Sequence, residues 1–385
     1  MSDPLPKEMR AVVYRGPNDL RLETLPVPEI GPDELLVKVA VCGVCPTDIK
    51  KIQYGTVPPP RVFGHETAGL IVRTGSRVTG FQLGERVALH HHVPCLVCHF
   101  CQHRAFAQCA DYKRTGITAG FEPAGGGYAE YVRVMPFVLP GVVRIPDDNS
   151  YLEGALLEPV NTVLKAVKRL SLFSGDSCLV IGQGPVGLMF TRLLALQGVR
   201  VAASDLLETK LVLAKQFGAE WTIAGTLETR LAELAGIAAE GGFDAVVVAV
   251  PVDSVLQPSL QLLRGGGKLL LFAHTRRGAA TPLDLAAICV DEKDVIGSYS
   301  ADFTLQDEVA QLVFSRQIDV ETLVSHEFAL EQTADAIQLA SRPQPDSLKV
   351  VVRVDVSAWE QDSCGGRTAA SGIGQFRSKN CSKKH

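Results

Sequence analysis

Four cysteines, Cys95, Cys98, Cys101 and Cys109, fall within fifteen residues as C-x2-C-x2-C-x7-C, thirty residues after the triplet Gly64-His65-Glu66. Four thiolates at this spacing can close a tetrahedral zinc site with no position left open, which makes such a site structural. Cys45, His65, Glu66 and Glu158 remain as candidate ligands for a second, open metal site. Three protein ligands leave a fourth position for a substrate oxygen, on which zinc acts as a Lewis acid. Gly64 and Gly69 flank His65, which points to a constrained turn rather than a helix face.

A second constellation is Gly182-Gln183-Gly184-Pro185-Val186-Gly187, directly after an expected strand and opening an expected helix. Gly182 makes the tight turn, Gly184 lets the backbone approach a pyrophosphate, and Gly187 allows close helix–strand packing. The helix N-terminus, with Pro185 and Val186 in its first turn, then faces the phosphates. Asp205 closes the next strand, 18 residues past Gly187. A carboxylate there accepts from both adenosine ribose hydroxyls and repels a 2′-phosphate, so NAD is favoured over NADP. Lys210 either reaches the same ribose or is a solvated helix lysine.

The elements that must carry these groups change rhythm near residue 177. Residues 10–145 are rich in Gly, Pro, Val and short alternating runs, with strands expected at 35–41, 69–73 and 130–134. Beyond that come strands at 177–181, 199–204, 221–223, 243–250, 268–273 and 295–299, with helices at 185–197 and 208–217. Strands alternating with helices predict a doubly wound parallel sheet. Helices at 307–314 and 331–339 and a strand at 349–354 are too little for a third domain, so they are expected to return to the first. The expected division is 8–157 for the mostly-β domain, its cysteine lobe at about 90–112, 158–300 for the doubly wound domain, and 301–356 for the return. The Ser-, Gly- and Lys-rich stretch 357–385 reads as a disordered tail.

The chain has 385 residues, 46% of them apolar and 21% charged, with a formal net charge of −4. That is an ordinary globular composition with neither a basic stripe for nucleic acid nor an apolar run long enough to span a membrane. The N-terminus lacks the apolar core of a signal peptide, and the clustered cysteines suit reduced, metal-bound thiolates; both point to the cytoplasm.

Gly64-His65-Glu66-x2-Gly69-x5-Gly75-x2-Val78 resembles the zinc signature of the medium-chain dehydrogenase/reductase superfamily. Gly43-Val44-Cys45-Pro46-Thr47-Asp48 is similar to its upstream metal-ligand motif, and the four-cysteine lobe to its structural zinc site. The motif order matches as well, over about residues 8 to 355. The resemblance implies an α/β chain: a GroES-like, mostly-β catalytic domain and a Rossmann coenzyme domain, with the active site in the cleft between them. It implies two Zn2+ ions per chain, NAD(H), a small-molecule alcohol or ketone substrate, and a homo-oligomer, dimer or tetramer.

Within that family the stretch Glu153-Gly154-Ala155-Leu156-Leu157-Glu158-Pro159 resembles the polyol and threonine dehydrogenase pattern, which makes Glu158 the carboxylate candidate. Pro159 disfavours helical geometry at Glu158 and starts the next helix. Glu66 and Glu158 either bind the metal directly or hold its ligands through water. Thr47 matches the family's hydroxyl relay beside Cys45, His65 and Glu66. Lys50 stands where many relatives place a proton-passing histidine, and an exposed lysine there titrates too high to serve. Ser300 and Ala301 replace the arginine and aromatic residue of sorbitol dehydrogenases, so a less polar or bulkier alcohol than sorbitol is expected. Phe121 and one of His90, His91 and His92 are candidate pocket residues, and Cys42 a small buried one. The activity so implied is oxidation of a secondary alcohol, polyol or sugar alcohol. Threonine oxidation, carbonyl reduction and a non-catalytic zinc and dinucleotide sensor are the alternatives.

Overall fold

The structure, a computed structural model, describes residues 5–90, 93–114, 125–238, 241–273, 278 and 280–355. The apolar run at 243–250 forms the strand Phe243–Val248, in which Ala245, Val246 and Val247 are fully buried. It lies inside a six-stranded sheet ordered Trp221–Ala224, Arg200–Asp205, Ser177–Ile181, Phe243–Val248, Leu263–Leu271 and Asp294–Gly297. Every pairing in it is parallel.

Alternate residues of the central strands enter different cores. Cys178, Val180, Val201 and Val247 pack with Leu188, Phe190 and Leu194 of the helix Pro185–Leu196. Leu179, Ile181, Ala202 and Val246 pack with Leu227, Leu234 and Leu260 on the other side. A sheet covered on both faces needs strands without polar alternation, which is what these segments supply. Strand order reverses at Ser177–Ile181, and the crevice at such a point is where doubly wound sheets take ligands.

The second body is built on Leu35–Gly43, which pairs antiparallel with Glu66–Thr74, Tyr131–Val134 and Lys349–Arg353. The sheet continues through Val324–Ala329 at one side and Arg86–Leu89 and Val142–Arg144 at the other. Lys349–Arg353 therefore brings the last described strand against one of the first. Glu8–Gly16 pairs with Asp19–Pro26 and Arg61–Val62 in a separate small sheet.

Two boundary differences bear on the site. The edge strand stops at Gly297, and three residues later Ser300 adopts φ +63°, outside the extended form. The helix Leu157–Leu170 begins before Pro159, so Glu158 lies in its first turn. Proline costs nothing there, since first-turn amides have no intrahelical acceptor. Among the described residues no helix is long and apolar enough to cross a membrane.

Candidate active site

Gly43 stands opposite Glu66 in the antiparallel pairing, and only Val44 separates it from Cys45, the N-cap of the helix Pro46–Tyr54. This register brings Cys45, His65 and Glu66 together: one ligand atom from each lies within 4.8 Å of the others. A Cβ at Gly43 would fall 1.9 Å from Glu66 Oε2, so a glycine is needed to admit the carboxylate.

Asp48, wholly buried on the same helix, orients the histidine. Its Oδ2 lies 2.9 Å from His65 Nδ1 and accepts the Gly64 amide at 3.3 Å. Nε2 is left as the ring's ligand atom, the arrangement by which carboxylates fix metal-binding histidines. Burial works against a charged His65, but Asp48 and then Cys45 outweigh it and hold the imidazole well above its ordinary value. Thr47, half-buried, donates its amide to Cys45 Sγ at 3.5 Å.

Glu66 has a cationic partner that no motif announced. Lys349 Nζ donates to Glu66 Oε1 at 2.6 Å and to the Val44 carbonyl at 2.9 Å. Burial opposes that ammonium, yet Glu66 and Cys45 keep it raised. Glu158 is buried but is not part of the three-residue cluster. Burial pushes its carboxyl up to about 7, with His65 pulling down and Glu66 pushing up. Lys50 is half-buried rather than exposed, and burial lowers it.

The lobe sulfurs converge separately. The four ligand atoms lie within 4.8 Å of one another, with Cys98 Sγ 3.5 Å and Cys95 Sγ 3.9 Å from Cys101 Sγ. These separations are far beyond a disulfide bond, and the amides of Cys98 and Cys95 donate to the sulfurs of Cys95 and Cys109. Burial drives the Cys101 thiol up to about 12. It acts the same way on Cys109, but the amides of Cys95, Tyr112 and Asp111 bring that thiol down to about 7. Both donor sets suit zinc: four thiolates close one site, while thiolate, imidazole and carboxylate leave the other open.

At the glycine turn, Gly184 caps the helix Pro185–Leu196. A Cβ at Gly187 would lie 1.7 Å from the Gly182 carbonyl, whereas one at Gly184 would meet nothing within 4 Å. Gly184 therefore borders open space at a helix N-terminus, where a diphosphate is favoured. Asp205 Oδ2 accepts the Gln183 amide at 2.6 Å and Oδ1 the Leu207 amide at 3.0 Å, which aims the carboxylate beside the turn. Lys210 is buried, and its ammonium donates to the Ser347 carbonyl.

Ser300 and Ala301 meet the cysteine lobe: the Tyr112 hydroxyl donates to Ser300 Oγ and, at 3.3 Å, to the Ala301 carbonyl. Cys42 is buried, its thiol pushed up to about 12 by burial. His90 is buried as well, whereas His91, His92, Phe121 and the stretch 357–385 lie outside the described residues. Asp48 was legible only as a motif member, three residues past Cys45. Lys349 had no local signal, since a strand brings it to Glu66 from 283 residues away.

Comparison with known proteins gives these donor sets a setting. Residues 31–147 match the family model of the alcohol dehydrogenase GroES-like domain, and residues 185–315 that of the zinc-binding dehydrogenase domain. The sorbitol dehydrogenase of Bacillus subtilis (strain 168) is 31% identical over 358 residues, covering 91% of this chain and 99% of that one. D-arabinitol dehydrogenase 1 of Uromyces fabae is 30% identical over 356 residues, covering 91% and 98%. Galactitol-1-phosphate dehydrogenase from Escherichia coli superposes with a TM-score of 0.79 at 26% identity, over 90% of this chain and 100% of that one. With both donor sets and the glycine turn in place, the chain belongs to the zinc-containing medium-chain dehydrogenase/reductase superfamily, in its polyol branch, and is an alcohol/polyol oxidoreductase.

Proposed function

We propose that the protein interconverts a secondary alcohol of a polyol or sugar alcohol with its ketone, using NAD(H), with one zinc at Cys45, His65 and Glu66 and another at Cys95, Cys98, Cys101 and Cys109. The observation that carries this reading is the convergence of Cys45, His65 and Glu66 within 4.8 Å. When bound there, zinc supplies Lewis acidity to an alcohol oxygen. The chain supplies the rest. Asp48 holds the His65 ring, and Lys349 offsets the charge of Glu66. The Thr47 hydroxyl, able both to donate and to accept, passes the alcohol proton outward to water. Gly182, Gly184 and Gly187, with Pro185 and Val186, seat the diphosphate, and Asp205 selects the unphosphorylated ribose. Glu158 lines the metal cluster as a second carboxylate rather than a first ligand. Lys210 braces the ribose pocket through Ser347.

Among the described residues the edge strand Asp294–Gly297 has one free side, and the neighbouring Leu285 and Val290 are 73% and 79% exposed, which supports pairing between two copies. Thiolate sites require reduced cysteines, which supports the cytoplasm. The test is a panel of diols, sugar alcohols and threonine, followed by NADH absorbance with and without chelator. Chelator-sensitive oxidation of a polyol is expected. Tight NADH binding with no turnover of any of them would instead favour a non-catalytic sensor.

A further inference from the structure

The segment from Gly297 to Phe303 is held from two directions. On one side, Asn161, Lys165 and Arg169 recur every four residues along the helix Leu157–Leu170, so they share one face. Asn161 Oδ1 accepts the Asp302 amide at 2.8 Å, Lys165 Nζ donates to the Tyr299 carbonyl at 2.9 Å, and Arg169 donates to the Gly297 carbonyl. On the other side stands the cysteine lobe. Tyr112, 2% exposed, bonds Ser300 and Ala301, and the Phe106 ring packs edge-on against Phe303 at 5.7 Å. The Tyr112 amide in turn donates to Cys109, one of the four lobe thiols.

Between these clamps lies Tyr299. Its side chain is half-exposed, and its carbonyl is bound by Lys165 on the helix whose first turn carries Glu158, while burial and the charges of Cys45 and Glu158 raise its hydroxyl. Ser300 next to it has φ +63°, a conformation a serine rarely keeps without outside support. The Tyr112 hydroxyl is that support.

We propose that Tyr112 is a positioning residue which, through Ser300 and Ala301, sets where the Tyr299 ring stands beside the Cys45–His65 cluster and so which alcohols fit. The lobe then serves as a buttress for the substrate pocket, with a chain of contacts running from Cys109 through Tyr112 to Tyr299. This rests on the alcohol dehydrogenase reading for its substrate and on geometry alone for the clamp. The ligand class it bears on is the secondary alcohol of that reading, met by a phenol ring.

The experiment compares the full chain with Tyr112→Phe and, from the other side of the contact, Ser300→Ala. Hydrogen exchange at residues 299–303, zinc content, NADH affinity, and kcat and KM on four- and six-carbon polyols are measured. In both variants, zinc content and NADH affinity are expected to stay unchanged, and loop exchange to rise about tenfold. KM is expected to rise about fivefold with kcat within about twofold, and the ratio of kcat/KM between the two polyols to shift about threefold or more. The double variant is expected to do no more than either single one. Unchanged exchange and an unchanged polyol ratio would overturn the proposal. So would loss of lobe zinc in Tyr112→Phe with no effect of Ser300→Ala, which would make Tyr112 a part of the lobe only. Should the unaltered protein oxidise no polyol, the functional reading falls, while the exchange measurement still judges the clamp.

Discussion

Lys349 Nζ lies 2.6 Å from Glu66 Oε1, and both side chains are buried. A buried pair of this kind is costly to break from one side, because the survivor keeps its charge without a partner. In protein stripped of metal by chelator, Lys349→Met is therefore expected to lose roughly 3–5 kcal/mol of stability in denaturant titration, and Lys349→Met/Glu66→Gln distinctly less. Equal losses in the two variants would show that the ion pair contributes nothing specific.

Gly184 and Gly187 separate binding from folding. Gly184→Ala meets open space and is expected to keep the melting temperature within about 2 °C while weakening NADH binding about tenfold or more. Gly187→Ala drives a Cβ into the Gly182 carbonyl, so its expected outcome is loss of folded protein. NADH titration by fluorescence alongside thermal melting distinguishes the two. Normal NADH affinity in Gly184→Ala would place the diphosphate elsewhere.

Removing the Asp205 carboxylate eliminates both the ribose acceptor and the repulsion of a 2′-phosphate. Asp205→Ser is expected to weaken NAD about tenfold and to narrow or reverse the gap to NADP in kcat/KM. The change also releases the Gln183 and Leu207 amides, so some loss with both coenzymes is expected. A protein that prefers NADP before any substitution would contradict the role given to Asp205.

Acid lability has an identified contributor away from the site. Arg133 binds Glu34 through two nitrogens at 2.6 and 2.7 Å and holds its carboxyl below the usual range, against burial and with help from the Gly31 amide. A depressed folded-state value means that this stability is present above about pH 4.5, the unfolded value, and is lost as pH falls through the folded one. Glu34→Gln is expected to cost on the order of 1–3 kcal/mol at pH 7 and to flatten the stability curve below pH 4.5. A parallel downward shift at all pH values would assign the loss to packing instead.

Much of this was open to reading from residue order alone. The glycine turn, the cysteine lobe and the Gly64-His65-Glu66 triplet are local strings whose chemistry depends on spacing, and the buried run at 243–250 announces a strand covered on both faces. What stayed hidden is long-range. Lys349 sits in an ordinary strand, and only its antiparallel pairing beside Leu35–Gly43 carries it to Glu66. Tyr112 belongs to no motif, and only the fold sets it against Ser300. Lys50 read as exposed because helix position alone does not reveal what packs over it.

Lys50→Ala tests the proton route. With Thr47 passing the proton to water, turnover is expected to stay within about twofold and the pH–rate profile to keep its shape. A large loss restored by added imidazole would make Lys50 part of the relay.

Zinc quantification in the purified chain and in Cys45→Ser speaks most directly to the open metal centre. Two ions per chain are expected in the unaltered protein, and one in Cys45→Ser with the alcohol activity gone. A single ion in both, held by the cysteine lobe, would contradict the assignment of Cys45, His65 and Glu66.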